Sequence, residues 1–238
     1  MKNVLITGGT RGIGASCAEL FSKNGYRVFV IYHSDKEKAQ KLCERINCIS
    51  YRADICSYEQ IEKTVKDITE KYGSIEVLIN NAGIAQQKLF IDTDSADWGK
   101  MIDTNLTGTY NVTNVVIKSM IKNHSGSIVN VSSIWGVCGA SCEVHYSAAK
   151  SGIIGFTKAL AKEVGLSGIR VNCVAPGIID TEMNNHLSRD DIKEICEEIP
   201  MGRVGKPDEC AELIYFLASE KASYITGQTV EINGGWNV

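Results

Sequence analysis

The stretch that decides the fold is Val4–Gly14, with the sequence VLITGGTRGIG. It begins with the apolar run Val4–Ile6, which is typical of a buried strand, and it leads through glycines into an amphipathic helical pattern. Gly8 permits a tight turn, Gly12 lets the backbone approach a diphosphate, and Gly14 lets the helix pack closely on the strand. The N-terminus of such a helix offers free N–H groups and a positive dipole end to phosphates. The stretch therefore predicts a strand, turn and helix that bind a dinucleotide.

The same alternation continues to the end of the chain. Further apolar runs are Val28–Ile31, Ile49–Tyr51, Val77–Ile79, Ile128–Val131, Val171–Val174 and Thr229–Ile232. Helical patterns lie between them, for example Ala15–Asn24, Ser57–Tyr72, Trp98–Asn123, Tyr146–Gly165 and Pro207–Ser219. Strands this continuously apolar are covered on both faces. The alternation predicts an α/β fold: a Rossmann-type, doubly wound parallel sheet of about seven strands with helices on both faces.

No linker or charge block divides residues 1–238, which predicts one domain that both binds the dinucleotide and carries out the chemistry. The least regular part is Ile178–Val204, which follows a strand and contains a short helical pattern at Arg189–Ile199. Its position at the carboxyl edge of the sheet predicts a lid over the substrate, with a plain surface loop as the alternative.

Charge and composition exclude several classes of partner. The net charge is -3, and no basic cluster indicates nucleic-acid or membrane binding. The first apolar run is too short for a signal peptide, and no run approaches the length of a membrane span, so we expect a cytoplasmic protein. The nine cysteines are scattered and contain no C-x-x-C pair, which argues against a disulfide framework and predicts no metal site.

The end of the second apolar run bears on the choice of dinucleotide. NAD is usually held by an acidic residue about 20 residues past the glycine loop, which binds the ribose 2′-hydroxyl. Here the run ends Ile31-Tyr32-His33-Ser34, with no carboxylate before Asp35. Arg11, inside the loop, can instead meet a 2′-phosphate with charge-assisted hydrogen bonds, although it can also be a plain exposed arginine. NADP(H) is therefore predicted over NAD(H), with Asp35 as the residue that argues the other way.

A candidate reactive group lies further along the chain. Tyr146 and Lys150 are four apart in a helical pattern and share one face. A tyrosine has an ordinary pKa of about 10, and we expect the lysine cation to lower it toward the useful range. Ser133, just past the fifth apolar run, can donate a hydrogen bond to a substrate carbonyl oxygen. Asn105, in a helical region, is predicted to hold a water that connects Lys150 to solvent.

Together these motifs resemble those of the short-chain dehydrogenase/reductase family over the whole chain. They are Thr7-Gly8-x-x-x-Gly12-x-Gly14, Asn80-Asn81-Ala82-Gly83, Asn105, Ser133, Tyr146-x-x-x-Lys150 and Pro176-Gly177. The resemblance implies hydride transfer to a ketone, with Tyr146 as acid, Ser133 polarising the carbonyl, and Lys150 and Asn105 completing a proton relay. The predicted cofactor-binding residues are Gly8, Thr10, Arg11, Gly12, Ile13, Gly14, His33, Asp54, Ile55, Asn81, Ala82, Gly83, Tyr146, Lys150, Ile179 and Thr181.

Within the family, two stretches resemble different branches. Tyr224–Gly235 resembles the ending of 3-oxoacyl-[acyl-carrier-protein] reductases, which implies an acyl carrier protein as partner and a homotetramer. Those reductases often have arginines where this chain has His124 and Ser167. Ser133–Tyr146 instead resembles a reductase of the 5-aminopentanone group on elongation factor P, and Glu143 is a candidate to attract that group's amine.

Two other classes of function are weighed against a reductase. A hydrolase using Ser133 and His145 is disfavoured, because the chain has no G-x-S-x-G motif around a nucleophile. A non-catalytic dinucleotide sensor would keep the glycine loop but would not need Ser133, Tyr146 and Lys150 together.

Overall fold

The computed structural model, which describes residues 1–185 and 187–237, has a parallel seven-stranded sheet at its centre. Its strands are β1 (Asn3–Thr7), β2 (Arg27–Tyr32), β3 (Ile49–Arg52), β4 (Val77–Asn80), β5 (Gly126–Val131), β6 (Ile169–Pro176) and β7 (Thr229–Ile232). They lie in the order β3-β2-β1-β4-β5-β6-β7, and every neighbouring pair is parallel. The predicted Rossmann-type sheet is confirmed.

The helices that connect these strands are close to the predicted ones. They are α1 (Gly12–Lys23), α2 (Lys36–Ile46), α3 (Tyr58–Tyr72), α4 (Ser95–Ile102), α5 (Gly108–Asn123), α6 (Ile134–Val137), α7 (Val144–Val164), α8 (Arg189–Glu198) and α9 (Pro207–Ala218). Short 3-10 turns occur at Phe90–Asp92, Gly165–Ser167, Glu182–Asn184 and Glu220–Ala222. No helix in the described part of the chain is long and apolar enough to span a membrane.

Two hydrophobic cores lie on opposite faces of the sheet. Neighbouring residues of a strand point to opposite faces, so Leu5 of β1 packs with Leu78 of β4 beneath α3, α5 and α7. Val4 and Ile6 pack on the other face with Ile79, beneath α1, α2 and α9. Both faces are therefore covered, which explains why the strand sequences are almost continuously apolar.

The strand order reverses direction between β1 and β4, where a crevice opens at the carboxyl edge. Thr7 at the end of β1 is level with Ile31 of β2 on one side and Asn80 of β4 on the other. The glycine loop after β1 and the segment after β4 consequently lie side by side. Ligands of doubly wound sheets bind at this switch point.

The structure differs from the predicted helices in one place that matters for the site. The predicted single helix Trp98–Asn123 begins earlier, at Ser95, and contains a π-helical segment at Asp103–Thr107. Hydrophobic periodicity does not reveal this insertion, because the helix continues on both sides of it. Such π segments are often found at functional sites, and this one contains Asn105.

Candidate active site

The glycine loop has the geometry that its sequence predicts. Gly8 and Gly12 have φ values of +62° and +51°, in the left-handed region that favours glycine. A Cβ on Gly14 would lie 2.3 Å from the carbonyl oxygen of Gly8 and 2.6 Å from the Asn81 amide nitrogen. Only glycine at position 14 allows α1 to pack this closely against the end of β1.

Asn81 connects the glycine loop to the end of β4. Its amide nitrogen donates to the carbonyl oxygens of Thr7 and Gly8, both at 3.1 Å. The Thr7 hydroxyl accepts from the backbone N–H groups of Asn81 and Ala82, also at 3.1 Å. The contacts of Asn81 and Ala82 with a cofactor stay a prediction, and the structure shows that both residues hold the loop in place.

The start of α1 fits the diphosphate of a dinucleotide. Arg11 precedes the helix, and among the described residues no side chain caps its first N–H groups. By contrast, the side chains of Asp35, Ser57 and Asp94 cap α2, α3 and α4. A helix N-terminus without a side-chain cap, next to a left-handed glycine turn, leaves its N–H groups for an anion. Thr10 and Ile13, also predicted to bind the cofactor, belong to this same turn.

The residues predicted to surround the adenosine end lie at the carboxyl edges of β2 and β3. The His33 ring nitrogen Nε2 lies 4.0 Å from an Asp54 carboxylate oxygen. The Asp54 carboxylate accepts from the backbone N–H of Cys56, which fixes the turn after β3. Ile55 is buried against Gly108, where a Cβ would lie 2.6 Å from its side chain. The structure therefore groups His33, Asp54 and Ile55 at one end of the crevice.

Asp35 does not extend into the ribose position. Its carboxylate accepts from the backbone N–H of Lys38 at 2.9 Å and so caps α2. The Lys38 ammonium lies beside the Glu182 carboxylate, at 2.6 and 2.7 Å from its two oxygens, and Arg11 lies 3.8 Å from Glu182. Sequence reasoning missed Lys38 and Glu182. Lys38 could have been recognised from its position, because it lies only seven residues past Ile31, near the end of the second strand.

Ser133 and Tyr146 come together at the ends of β5 and α7. Ser133 caps α6, its hydroxyl oxygen accepting from the Trp135 backbone N–H at 3.2 Å. Tyr146 is buried, and burial raises its pKa to about 12, while a hydrogen bond from Ser133 lowers it. The negative charge of Glu143 raises the Tyr146 pKa further. The expectation that the Tyr146 pKa is lowered is wrong for this structure, because loss of solvent outweighs the stabilising contacts.

Lys150 is the third member of this group. Its ammonium nitrogen donates to the Val131 carbonyl oxygen at 2.9 Å and lies 5.7 Å from the centre of the Tyr146 ring. Burial lowers the pKa of Lys150 to about 8. The Ser132 hydroxyl fixes the backbone of α7 at this point by donating to the Lys150 carbonyl oxygen at 2.8 Å.

Asn105 is fully buried, and its side chain is already engaged. Its amide nitrogen donates to the carbonyl oxygens of Ile84 and Met101, each at 3.0 Å, and its amide oxygen accepts from the Ile84 N–H at 3.2 Å. Gly83 lies between Asn105 and Lys150: a Cβ there would be 2.5 Å from the Asn105 amide oxygen and 3.4 Å from the Lys150 ammonium. The side chain of Asn105 therefore holds the segment after β4, and its predicted role as a water ligand stays a prediction.

The lid segment, residues 178–204, begins directly above the glycine loop. Ile179 is buried and pairs as an isolated bridge with Gly205. Thr181 lies against Gly12, where a Cβ would be 3.1 Å from the threonine methyl group. The two lid residues that were predicted to contact a cofactor are thus placed at the phosphate end of the crevice.

A cavity of about 390 Å³ is lined mainly by residues of the lid segment. Its lining residues are Gln87, Leu187, Asp191, Glu194, Ile195 and Glu198. The indole N–H of Trp236 donates to Glu198 at 3.2 Å, and the Trp236 ring packs edge-on against Trp135 at 5.1 Å. Trp135 in turn packs against the cluster that contains Tyr146. The cavity is thereby connected to the reactive group through two tryptophans.

His145 does not form the arrangement that a serine hydrolase requires. Its ring nitrogen Nε2 pairs with the Gln86 amide oxygen at 3.0 Å. Its Nδ1 is buried and has no hydrogen-bond partner among the described residues. Neither ring nitrogen bonds the Ser133 hydroxyl, so the serine has no base to activate it.

Comparison with known proteins agrees with this geometry. A family model described as enoyl-(acyl carrier protein) reductase matches residues 8–237. The chain is 44% identical over 239 residues to the 3-oxoacyl-[acyl-carrier-protein] reductase FabG of Chlamydia muridarum, covering 98% of this chain and 96% of the relative. It is 40% identical over 239 residues to the protein of the same name from Staphylococcus epidermidis, with 98% of each chain covered.

Proposed function

Because the chain belongs to the short-chain dehydrogenase/reductase family, we propose that it is an NADPH-dependent reductase that converts 3-oxoacyl thioesters carried on acyl carrier protein into 3-hydroxyacyl thioesters. The observation that carries the proposal is the buried group of Ser133, Tyr146 and Lys150 beside a crevice suited to a dinucleotide. The relatives named 3-oxoacyl-[acyl-carrier-protein] reductase support the choice of substrate.

Each residue of the group has a defined part in this reaction. A bound NADPH supplies the hydride. The Ser133 hydroxyl donates a hydrogen bond to the substrate carbonyl oxygen, and the Tyr146 hydroxyl gives that oxygen its proton. The Lys150 cation, 5.7 Å from the Tyr146 ring, stabilises the phenolate that remains. Asn105 bonds the backbone of Ile84 and so positions the neighbouring Gly83 beside Lys150.

The test follows the absorbance of NADPH with purified protein and an acetoacetyl thioester of acyl carrier protein. We expect turnover that falls at least about 100-fold in Tyr146→Phe, because the proton donor is lost. Tyr224→Phe, at a fully exposed tyrosine, is the matched control and should leave the rate unchanged. A crotonyl thioester is the second substrate, because the matched family model is described as an enoyl reductase. Turnover of the crotonyl thioester alone would overturn the proposed ketone reduction.

A non-catalytic sensor is separated from a reductase by the same variant. A sensor would bind NADPH equally well with Tyr146 or Phe at this position and would oxidise it in neither form. The burial of Ser133, Tyr146 and Lys150 as one group favours the reductase, because a sensor does not need all three side chains there.

A second candidate reaction is reduction of the 5-aminopentanone group on elongation factor P. Three carboxylates of the lid segment, those of Asp191, Glu194 and Glu198, line its cavity, and this charge favours an ammonium group over a phosphate. Glu143 lies close enough to raise the pKa of Tyr146. Glu143→Lys should raise KM for an amine-bearing ketone, whereas Glu163→Lys, at an exposed position near the end of α7, should not. An unchanged KM in Glu143→Lys would remove this candidate.

The assembly is proposed to be a homotetramer in the cytoplasm. Exposed aromatic and aliphatic side chains on α4 and α5, namely Trp98, Tyr110 and Ile121, are consistent with a helix-mediated interface between copies. Sedimentation velocity measures the mass directly, and a monomer at micromolar concentration would contradict the proposal.

A further inference from the structure

A carboxylate of the lid segment lies between two cations at the ribose end of the crevice. Glu182 contacts Lys38 through both of its oxygens, at 2.6 and 2.7 Å, and its second oxygen lies 3.8 Å from a guanidinium nitrogen of Arg11. Arg11 follows β1 in the glycine loop and Lys38 lies in the first turn of α2 after β2. The carboxylate therefore bridges the glycine loop and the first turn of α2, between which the ribose of a dinucleotide would lie.

A backbone hydrogen bond before Glu182 and a bond from the Asn184 side chain after it hold Glu182 in this place. The lid segment is fixed just before it, where the N–H of Asp180 donates to the Gly205 carbonyl oxygen at 2.9 Å. It is fixed again just after it, where the Asn184 amide donates to the Ile179 carbonyl oxygen at 2.7 Å. Thr181 in between packs on Gly12. Glu182 thus reaches the two cations from an anchored turn.

The nearby carboxylate of Asp35 makes a different contact. Asp35 accepts the Lys38 backbone N–H and caps α2, and its distance to the Lys38 ammonium is 3.7 Å. Glu182 makes the closer contact with Lys38 and is the acid that Arg11 and Lys38 share. A ribose 2′-phosphate carries a charge near -2 and would make the same charge-assisted hydrogen bonds with those two cations.

We propose that Glu182 is a specificity-determining residue for the coenzyme, because its carboxylate occupies the two cations, Arg11 and Lys38, that a 2′-phosphate would bind. NADPH must open the contact between Glu182 and Lys38, whereas NADH leaves it closed. Glu182 therefore reduces the preference for NADPH over NADH. Binding of the 2′-phosphate also releases the start of the lid segment from Lys38. The inference rests on the proposed function, since it requires that the crevice bind a nicotinamide dinucleotide.

The test is a calorimetric titration without substrate, so that binding is measured independently of turnover. NADPH, NADH, adenosine 2′,5′-bisphosphate and 5′-AMP are titrated into wild type, Glu182→Gln, Lys38→Met and the double variant. Glu182→Gln should tighten NADPH and the bisphosphate about five-fold, the size expected for an exposed ion pair. It should leave NADH and 5′-AMP within about two-fold. Glu220→Gln removes a comparable exposed ion pair with Lys2, which precedes β1 at the amino edge of the sheet. This control should leave the affinities for all four ligands unchanged.

The double variant separates the proposed competition from a general change in charge. With Met at position 38, the gain from Glu182→Gln should shrink, since one of the two cations for which the carboxylate and the phosphate compete is gone. Equal tightening of NADPH and NADH, or no change in either, would overturn the role of Glu182 while leaving the proposed reductase intact. Failure of wild type to bind either dinucleotide would overturn both.

Discussion

The ammonium nitrogen of Lys150 lies 2.9 Å from the carbonyl oxygen of Val131, within a region that excludes nearly all solvent. One carbonyl does not replace the hydration of a cation, so burial lowers the pKa of Lys150 to about 8. The same burial raises the pKa of Tyr146 to about 12. At neutral pH Tyr146 is therefore a neutral phenol, and Lys150 is a cation that loses its proton easily. Carbonyl reduction needs this protonation state.

This relationship predicts the pH dependence of the reaction. In the direction of reduction Tyr146 stays protonated throughout the accessible range, while Lys150 loses its charge as the pH rises through about 8. We expect kcat/KM for ketone reduction to be level below this pH and to decline above it. The measurement is a pH series of initial rates at saturating NADPH.

The control for that profile lies on the same helix. Lys158→Met changes an exposed lysine of α7 and should keep both the rate and the alkaline decline. Lys150→Met should lower the rate across the series and remove the decline. An alkaline limb that persisted in Lys150→Met would assign it to another group.

The buried cation also predicts an effect on stability. The Lys150 pKa is lower in the folded chain, about 8, than its ordinary value of 10.5. The unfolded chain therefore binds the proton more tightly, and the charge costs stability at neutral pH; this cost disappears as the pH rises from about 8 toward 10.5. Lys150→Met should increase the free energy of unfolding at pH 7 by on the order of 2 kcal/mol, after allowing for the lost hydrogen bond.

Urea unfolding at neutral pH and near pH 10 tests the sign of this effect. The advantage of Lys150→Met over wild type should be largest at neutral pH and should narrow at the alkaline value. Lys158→Met, which changes no buried charge, should differ little from wild type at both. A Lys150→Met protein less stable than wild type at neutral pH would mean that the ammonium is stabilised by more than Val131.

Much of this site could be predicted from the sequence because it depends on features of local sequence. Glycines 8, 12 and 14 specify a left-handed turn and a close helix, and the spacing of Tyr146 and Lys150 specifies a shared face. The pKa values could not be predicted, because they depend on how much solvent the whole fold removes from each group. The contact between Lys38 and Glu182 joins residues 144 positions apart, and no local pattern marks such a pair.

Asn81 provides a test of how the glycine loop is held. Asn81→Ala removes the hydrogen bonds to the Thr7 and Gly8 carbonyl oxygens and leaves both without this donor. We expect a loss of about 1–3 kcal/mol in unfolding free energy and weaker NADPH binding by calorimetry. Asn24→Ala removes a single exposed hydrogen bond to Leu20 and should change dinucleotide binding little. Equal effects of the two substitutions would show that Asn81 does not position the loop.

Two glycines within helices give opposite predictions for the same substitution. At Gly14 of α1 a Cβ would lie 2.3 Å from the Gly8 carbonyl oxygen, and neither backbone can move without disturbing the turn. Gly14→Ala should therefore destabilise the fold by on the order of 2–4 kcal/mol and weaken dinucleotide binding. At Gly155 of α7 no atom of residues 1–185 and 187–237 lies within 4 Å of the added carbon, so alanine should stabilise the helix by about 0.5–1 kcal/mol. Thermal unfolding of the two variants beside wild type measures both shifts. If the melting temperature of Gly14→Ala, like that of Gly155→Ala, were above that of wild type, the close contact between α1 and the end of β1 would not exist in solution.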